Sequence, residues 1–112
     1  NILLVGDFNA YAKEDPVRVL EEAGFAKPET GGVSAYSYVY KGLSGSLDHV
    51  LASEPLLSKI RQESVWPINA DEAKVLDYKL EHKTSRQRKN LYDTSPFRSS
   101  DHDPVWVDIK TD

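Results

Sequence analysis

Apolar residues fall into short blocks separated by glycine, proline and polar turns. Ile2-Leu3-Leu4-Val5 is a continuous apolar run closed by Gly6-Asp7. Such a run predicts a strand buried on both faces. Asp15-Pro16 predicts a helix start, with Asp15 as N-cap and Pro16 at the first helical position. Val17, Leu20 and Ala23 recur at helical spacing, and Gly24 supplies the stop. Residues 27–35, rich in Gly, Pro, Thr and Ser, read as a loop. Residues 36–40 alternate with period two, as a half-buried strand does. Residues 41–45 read as a turn and 46–52 as a second strand, the two strands forming a hairpin.

Further along, Ser53-Glu54-Pro55 predicts a second helix start, with Leu56, Leu57 and Ile60 on its apolar side. Residues 63–68 read as a strand, and 69–79 as a polar segment with a few buried anchors. Residues 81–90 are charged and read as a mobile loop, 96–100 as irregular, and 104–109 as the last strand. Strands mixed with short helices predict an α+β fold, a mixed sheet with helices packed on one face.

The chain has 112 residues, enough for one small domain and not for two. With 39% hydrophobic and 29% charged residues it has a globular rather than a disordered balance. A net charge of −4 argues against binding nucleic acid through bulk positive charge, but leaves room for phosphate held locally through a metal ion. The absence of cysteine removes disulfides and thiolate metal sites. No apolar run approaches the roughly 20 residues that span a membrane, so no membrane partner is expected. The chain begins at Asn1, one residue before a strand-like run, and is read as an excised domain or fragment.

Three motifs carry candidate chemistry, each at a strand end or within a strand. In Gly6-Asp7-Phe8-Asn9, Asp7 and Asn9 are two apart, so in an extended segment they point the same way. A carboxylate beside an amide donor suits water activation and oxyanion binding; the same pair also suits an Asx turn that merely closes the strand. In Leu47-Asp48-His49-Val50-Leu51, Asp48 and His49 face opposite sides of the strand. Asp48 lies among apolar residues and needs a partner, for which orienting a catalytic imidazole is one explanation. His49 reads as a surface or edge histidine. In Ser99-Ser100-Asp101-His102-Asp103-Pro104-Val105, Asp101 offers hard oxygen ligands suited to Mg²⁺, and His102 can donate to phosphate or move protons. A plain polar loop is the alternative. Lys83, Arg86, Arg88 and Lys89 form the only dense basic stretch, either a solvated loop or a contact to a phosphate backbone.

Taken in order, Gly-Asp-Phe-Asn, then Leu-Asp-His-Val, then Ser-Asp-His-Asp-Pro-Val resemble the last three signature motifs of the endonuclease/exonuclease/phosphatase superfamily. Gly6 through Asp15, Tyr36-Ser37-Tyr38-Val39, Ile68-Asn69-Ala70-Asp71-Glu72, Leu76-Asp77-Tyr78 and Phe97 through Val105 are further similar to large secreted bacterial nucleases. The resemblance implies half of a four-layer α/β sandwich, 1–112 being its C-terminal half. That half would hold one mixed, mostly antiparallel sheet with helices on one face. The N-terminal half, which supplies a further Asn and a metal-binding Glu, would precede Asn1. The uncovered sheet face would then favour self-association.

By the same resemblance Asp7 aligns or deprotonates water, Asn9 binds the scissile phosphate, Asp101 holds or adjoins the metal, and His102 stabilises the transition state. Asp48 holds His102 in its working tautomer, and Asp103 stands outside the core machinery. The implied activity is a phosphodiesterase dependent on Mg²⁺ (or Mn²⁺ or Ca²⁺), an extracellular endonuclease acting on nucleic acid, DNA first. The fragment alone would be inactive. A phosphatase or sphingomyelinase of the same superfamily is the alternative enzyme, and a catalytically silent binding module the alternative outside enzymology.

Overall fold

The computed structural model describes residues 1–29, 36–92 and 94–111. Its central ladder pairs β1 (Leu3–Asp7) antiparallel with β5 (Asp48–Ser53), and β2 (Phe25–Ala26) lies on the other edge of β5. The register sets Leu4 opposite Leu51, Val5 opposite Val50 and Asp7 opposite Asp48. Period-two alternation sends Leu4 and Leu51 to one face, where α1 (Asp15–Glu22) covers them. The core there is Ala10, Val17 and Leu51, with Leu4, Phe8, Leu20 and Phe25 packed around it. Burying a side chain the size of Val17 or Leu51 contributes about 1.5–3 kcal/mol. The opposite face is open at Val5, 47% exposed, so β1 is not buried on both sides as its unbroken apolar run predicts.

The helix α1 starts one residue earlier than expected. Glu14 occupies the N-cap position and accepts the Tyr11 amide at 2.8 Å, while Asp15 is the first helical residue, beside the positive end of the helix dipole. Gly24, at φ +93, provides the left-handed stop.

The expected hairpin pairs differently. β3 (Tyr38–Tyr40) closes on β4 (Leu43–Gly45), not on residues 46–52. Lys41 and Gly42, at φ 50 and 82, form a two-residue turn with both φ values positive, whose twist matches the flanking strands. Residues 43–45 are therefore a strand rather than a turn, which leaves β5 free to pair with β1 and β2.

A third sheet pairs β6 (Ile60–Val65) antiparallel with β7 (Val105–Ile109). β6 starts and ends earlier than the predicted 63–68, because Pro67 has no amide to continue the ladder. Ile60 belongs to this strand rather than to α2 (Glu54–Leu57). Among the described residues all three sheets are antiparallel, and the mixed α+β class with few helices is as expected.

Residues 81–90 are not a loop. Within them starts α3 (Ser85–Leu91), opened by a capping box in which the Gln87 amide donates to Thr84 Oγ1 at 3.3 Å and the Thr84 amide donates to Gln87 Oε1 at 2.8 Å. A 3-10 turn (Lys74–Leu76) precedes it. Of the predicted 27–35 loop, residues 30–35 lie outside the described part, and 27–29 carry no regular element.

Candidate active site

The register of β1 on β5 brings two carboxylates together: Asp7 ends β1 and sits directly across from Asp48, which opens β5. Past Asp7 the chain turns at Asn9, whose φ of 49 is left-handed rather than extended. Asn9 donates its backbone amide to Asp7 Oδ1 at 2.7 Å and its side-chain Nδ2 to Oδ2 at 3.3 Å. An Asx turn and a carboxylate–amide pair are thus the same structure here. Sequence spacing pairs these residues correctly, for the wrong conformational reason.

A third group comes from the far end of the chain. His102 precedes β7 and is drawn to the hairpin by a bridge to Tyr38. Its Nδ1 lies 2.8 Å from Asp48 Oδ2. A carboxylate oxygen only accepts, so Nδ1 carries the proton and Nε2 is the nitrogen left for a ligand. The side chains of His102 and Asp48 are 20% and 11% exposed, a partly desolvated pair in which the hydrogen bond is stronger than in water. The same Oδ2 accepts the Ser37 hydroxyl at 2.6 Å. Ser37 is fully buried, and its oxygen also accepts the Leu47 and Asp48 amides at 3.3 Å each. The imidazole packs on the Tyr38 ring at 4.6 Å between centroids.

Beneath His102 lies a polar scaffold. Asp103, 1% exposed, accepts three successive backbone amides on one oxygen: Ile68 at 3.0 Å, Asn69 at 2.6 Å and Ala70 at 2.9 Å. Asn69, 2% exposed, donates to the His102 carbonyl at 2.7 Å and accepts the Ser99 amide at 3.1 Å. Arg98 donates to the Asn69 carbonyl at 2.7 Å and lies 3.7 Å from Asp77. The chain around the imidazole is held on both sides, the preorganisation a positioned donor needs.

Two sequence readings change, those of His49 and of the basic stretch. His49 is not a surface histidine: it is 4% exposed, donates Nε2 to the Ala10 carbonyl at 2.7 Å and stacks on Phe8. The four basic residues do not form one surface. Lys83 is 8% exposed and turns its ammonium onto the Asp77 and Lys79 carbonyls, and Arg88 Nε donates to the Lys83 carbonyl at 3.1 Å. Arg86 and Lys89 are exposed on α3, three residues apart and so on one side of it. Asp101 lies 3.9 Å from Lys79 and outside the group formed by Asp7, Asp48 and His102. The Lys79 pKa is raised, Asp101 being the largest cause, and the Tyr36 phenol is raised by its 2.7 Å hydrogen bond to Asp71.

Sequence reading gave no task to Ser37, Asn69 or Arg98, and set Asp103 outside the core machinery. Ser37 carried a signal, as a small polar residue between two tyrosines on the inward parity of a period-two strand. The others depend on contacts 29 to 34 residues apart, which no local pattern encodes.

Donor atoms of Asp7, Asp48 and His102 lie within 4.8 Å of one another. Asp48 Oδ2 is already shared by His102 and Ser37, and Asp7 is the exposed one of the two carboxylates. A hard divalent cation that keeps several waters and uses one or two carboxylates fits such a foothold.

A family model described as the endonuclease/exonuclease/phosphatase family matches residues 1–102. No curated protein and no solved structure matches the chain.

Proposed function

We propose that this chain, which belongs to the endonuclease/exonuclease/phosphatase family, supplies the acid–base centre of a metal-dependent nuclease. Members of the family are hydrolases of phosphodiester or phosphate bonds and generally use divalent metals. The observation that carries the reading is the 2.8 Å Asp48–His102 hydrogen bond at the strand end where Asp7 faces Asp48.

Each residue has a task in the proposed hydrolysis. Asp7 orients the attacking water and accepts its proton as the new O–P bond forms and the bond to the leaving oxygen breaks. Asn9 has a second Nδ2–H for a non-bridging oxygen. His102, protonated on both nitrogens, keeps Nδ1–H on Asp48 and turns Nε2–H to the phosphoryl group, where a positioned donor is worth roughly 2.7–4 kcal/mol. Asp48 fixes the tautomer, and Ser37 fixes Asp48. Of this chain's residues Asp7 would hold the divalent cation, Mg²⁺ in this proposal, which supplies charge neutralisation at the phosphoryl oxygens. DNA as substrate and an extracellular setting rest on the resemblance to secreted bacterial nucleases.

The test is cleavage of plasmid DNA by the protein that carries this chain, with Mg²⁺ and with EDTA. Cation-dependent nicking that falls by about a hundredfold to a thousandfold in His102→Ala supports the proposal. Phosphate release from inositol phosphates or sphingomyelin cleavage, with DNA left intact, would move the protein to the phosphatase or lipase branch. Nucleotide or lipid binding with no turnover of any of them would mark a silent module.

A further inference from the structure

A cleft of about 350 Å³ opens between the 3-10 turn and α3, lined by Lys74, Val75, Asp77, Lys79, His82, Lys83 and Gln87. Three lysines and one imidazole face one aspartate. That aspartate is already engaged: Asp77 accepts the Lys79 amide at 2.7 Å on Oδ1 and lies 3.7 Å from Arg98 through Oδ2. Lys83 is the telling residue. It is 8% exposed and lines the cleft, yet two backbone carbonyls take only two of its three N–H groups. A buried ammonium with one unused donor is costly without an anion to receive it.

We propose that this cleft binds a backbone phosphate of a nucleic-acid strand, away from the bond that is cleaved. Lys83 supplies a fixed donor at the base, and Lys74, Lys79 and His82 supply mobile donors at the rim. The wall of the cleft is tied to the catalytic residues through Asp77, Arg98 and Asn69, which holds the His102 carbonyl. Lys79 also lies 3.9 Å from Asp101, the residue before His102. A phosphate seated in the cleft therefore sets the register of the strand relative to the imidazole. This subsite rests on the nuclease reading above, and it moves the basic contact off the outer side of α3.

Binding of a fluorescent twelve-nucleotide single strand, measured by anisotropy across a salt series in EDTA, tests the subsite without turnover. In Lys74→Ala/Lys79→Ala/His82→Ala the affinity should fall three- to tenfold. The slope of log Kd on log salt should become shallower by about 0.7, the share of one phosphate on single-stranded DNA. Lys74→Ala/His82→Ala leaves the Lys79–Asp101 pair intact and should lose affinity in the same direction, which guards against misfolding of the triple variant. Wild-type affinity and slope in both folded variants would remove the subsite and leave the nuclease reading standing. Absence of salt-dependent binding by the unaltered protein would remove both. Saturable binding of inorganic phosphate at the cleft, without oligonucleotide binding, would reassign it to a small phosphorylated ligand and overturn the proposal.

Discussion

Two aspartates flank His102, and the structure gives them opposite energetic weights. Asp103 concentrates three backbone amides, from Ile68, Asn69 and Ala70, on a single carboxylate oxygen at 1% exposure. Asp103→Asn keeps the shape and an acceptor but removes the charge. A hydrogen bond to a charged group contributes about 1.5–3 kcal/mol, against about 0.5–1.5 for a neutral one. The loss is roughly 1 kcal/mol per bond, or about 3 kcal/mol for the three. With a urea m-value of about 1–3 kcal/mol/M for a chain this size, the unfolding midpoint should fall by roughly 1–3 M. Asp103→Ala leaves the Asn69 and Ala70 amides without a partner, the Ile68 amide keeping the Trp66 carbonyl at 2.9 Å, and should be worse. Asp101→Asn, at a half-exposed carboxylate whose ion-pair partner is a solvated lysine, should leave the midpoint unchanged. Urea titrations followed by far-ultraviolet circular dichroism make the comparison. A midpoint shift in Asp103→Asn no larger than in Asp101→Asn would refute the claim that this carboxylate organises the 68–70 turn.

The other expectations are shorter. Asp48→Asn should lower kcat far more than KM in the intact enzyme, with Ser37→Ala intermediate, and equal losses in both parameters would deny them a positioning role. The Glu63 pKa is raised by burial, partly offset by Lys27 and His49. Its protonated form therefore favours the fold, a contribution complete below the unfolded pKa and lost as pH rises through the folded one. Glu63→Gln should then stabilise the protein near pH 7 and make no difference in strong acid; thermal melts at both pH values decide it. Millimolar Mg²⁺ should raise the melting temperature of the wild type and not of Asp7→Asn, and an equal rise in both would place the ion elsewhere. Thr84→Ala should cost about 1 kcal/mol by removing the cap of α3, and an unchanged melt would mean that α3 is held by packing alone.

Local chemistry settled a good part of this protein in advance. The apolar run before Gly6-Asp7, the Pro16 and Gly24 boundaries of α1 and the last strand after Pro104 are visible because each depends on residues within a few positions. The order of three short motifs was enough to point to the family that matches residues 1–102. The Thr84-x-x-Gln87 capping box was also present in the text and was outweighed by the charge of residues 81–90. What only tertiary structure decided was pairing. Lys41-Gly42 closes its hairpin early, so β5 finds β1 and β2, and that register alone sets Asp7 across from Asp48. His102 reaches Asp48 across 54 residues, His49 turns inward to Ala10, and Lys83 folds back onto the Asp77 and Lys79 carbonyls rather than facing solvent. Each is a long-range contact or a choice between faces. A sequence read alone supplies residue types and periodicity, whereas the free energy of a buried hydrogen bond depends on which distant partner the fold delivers.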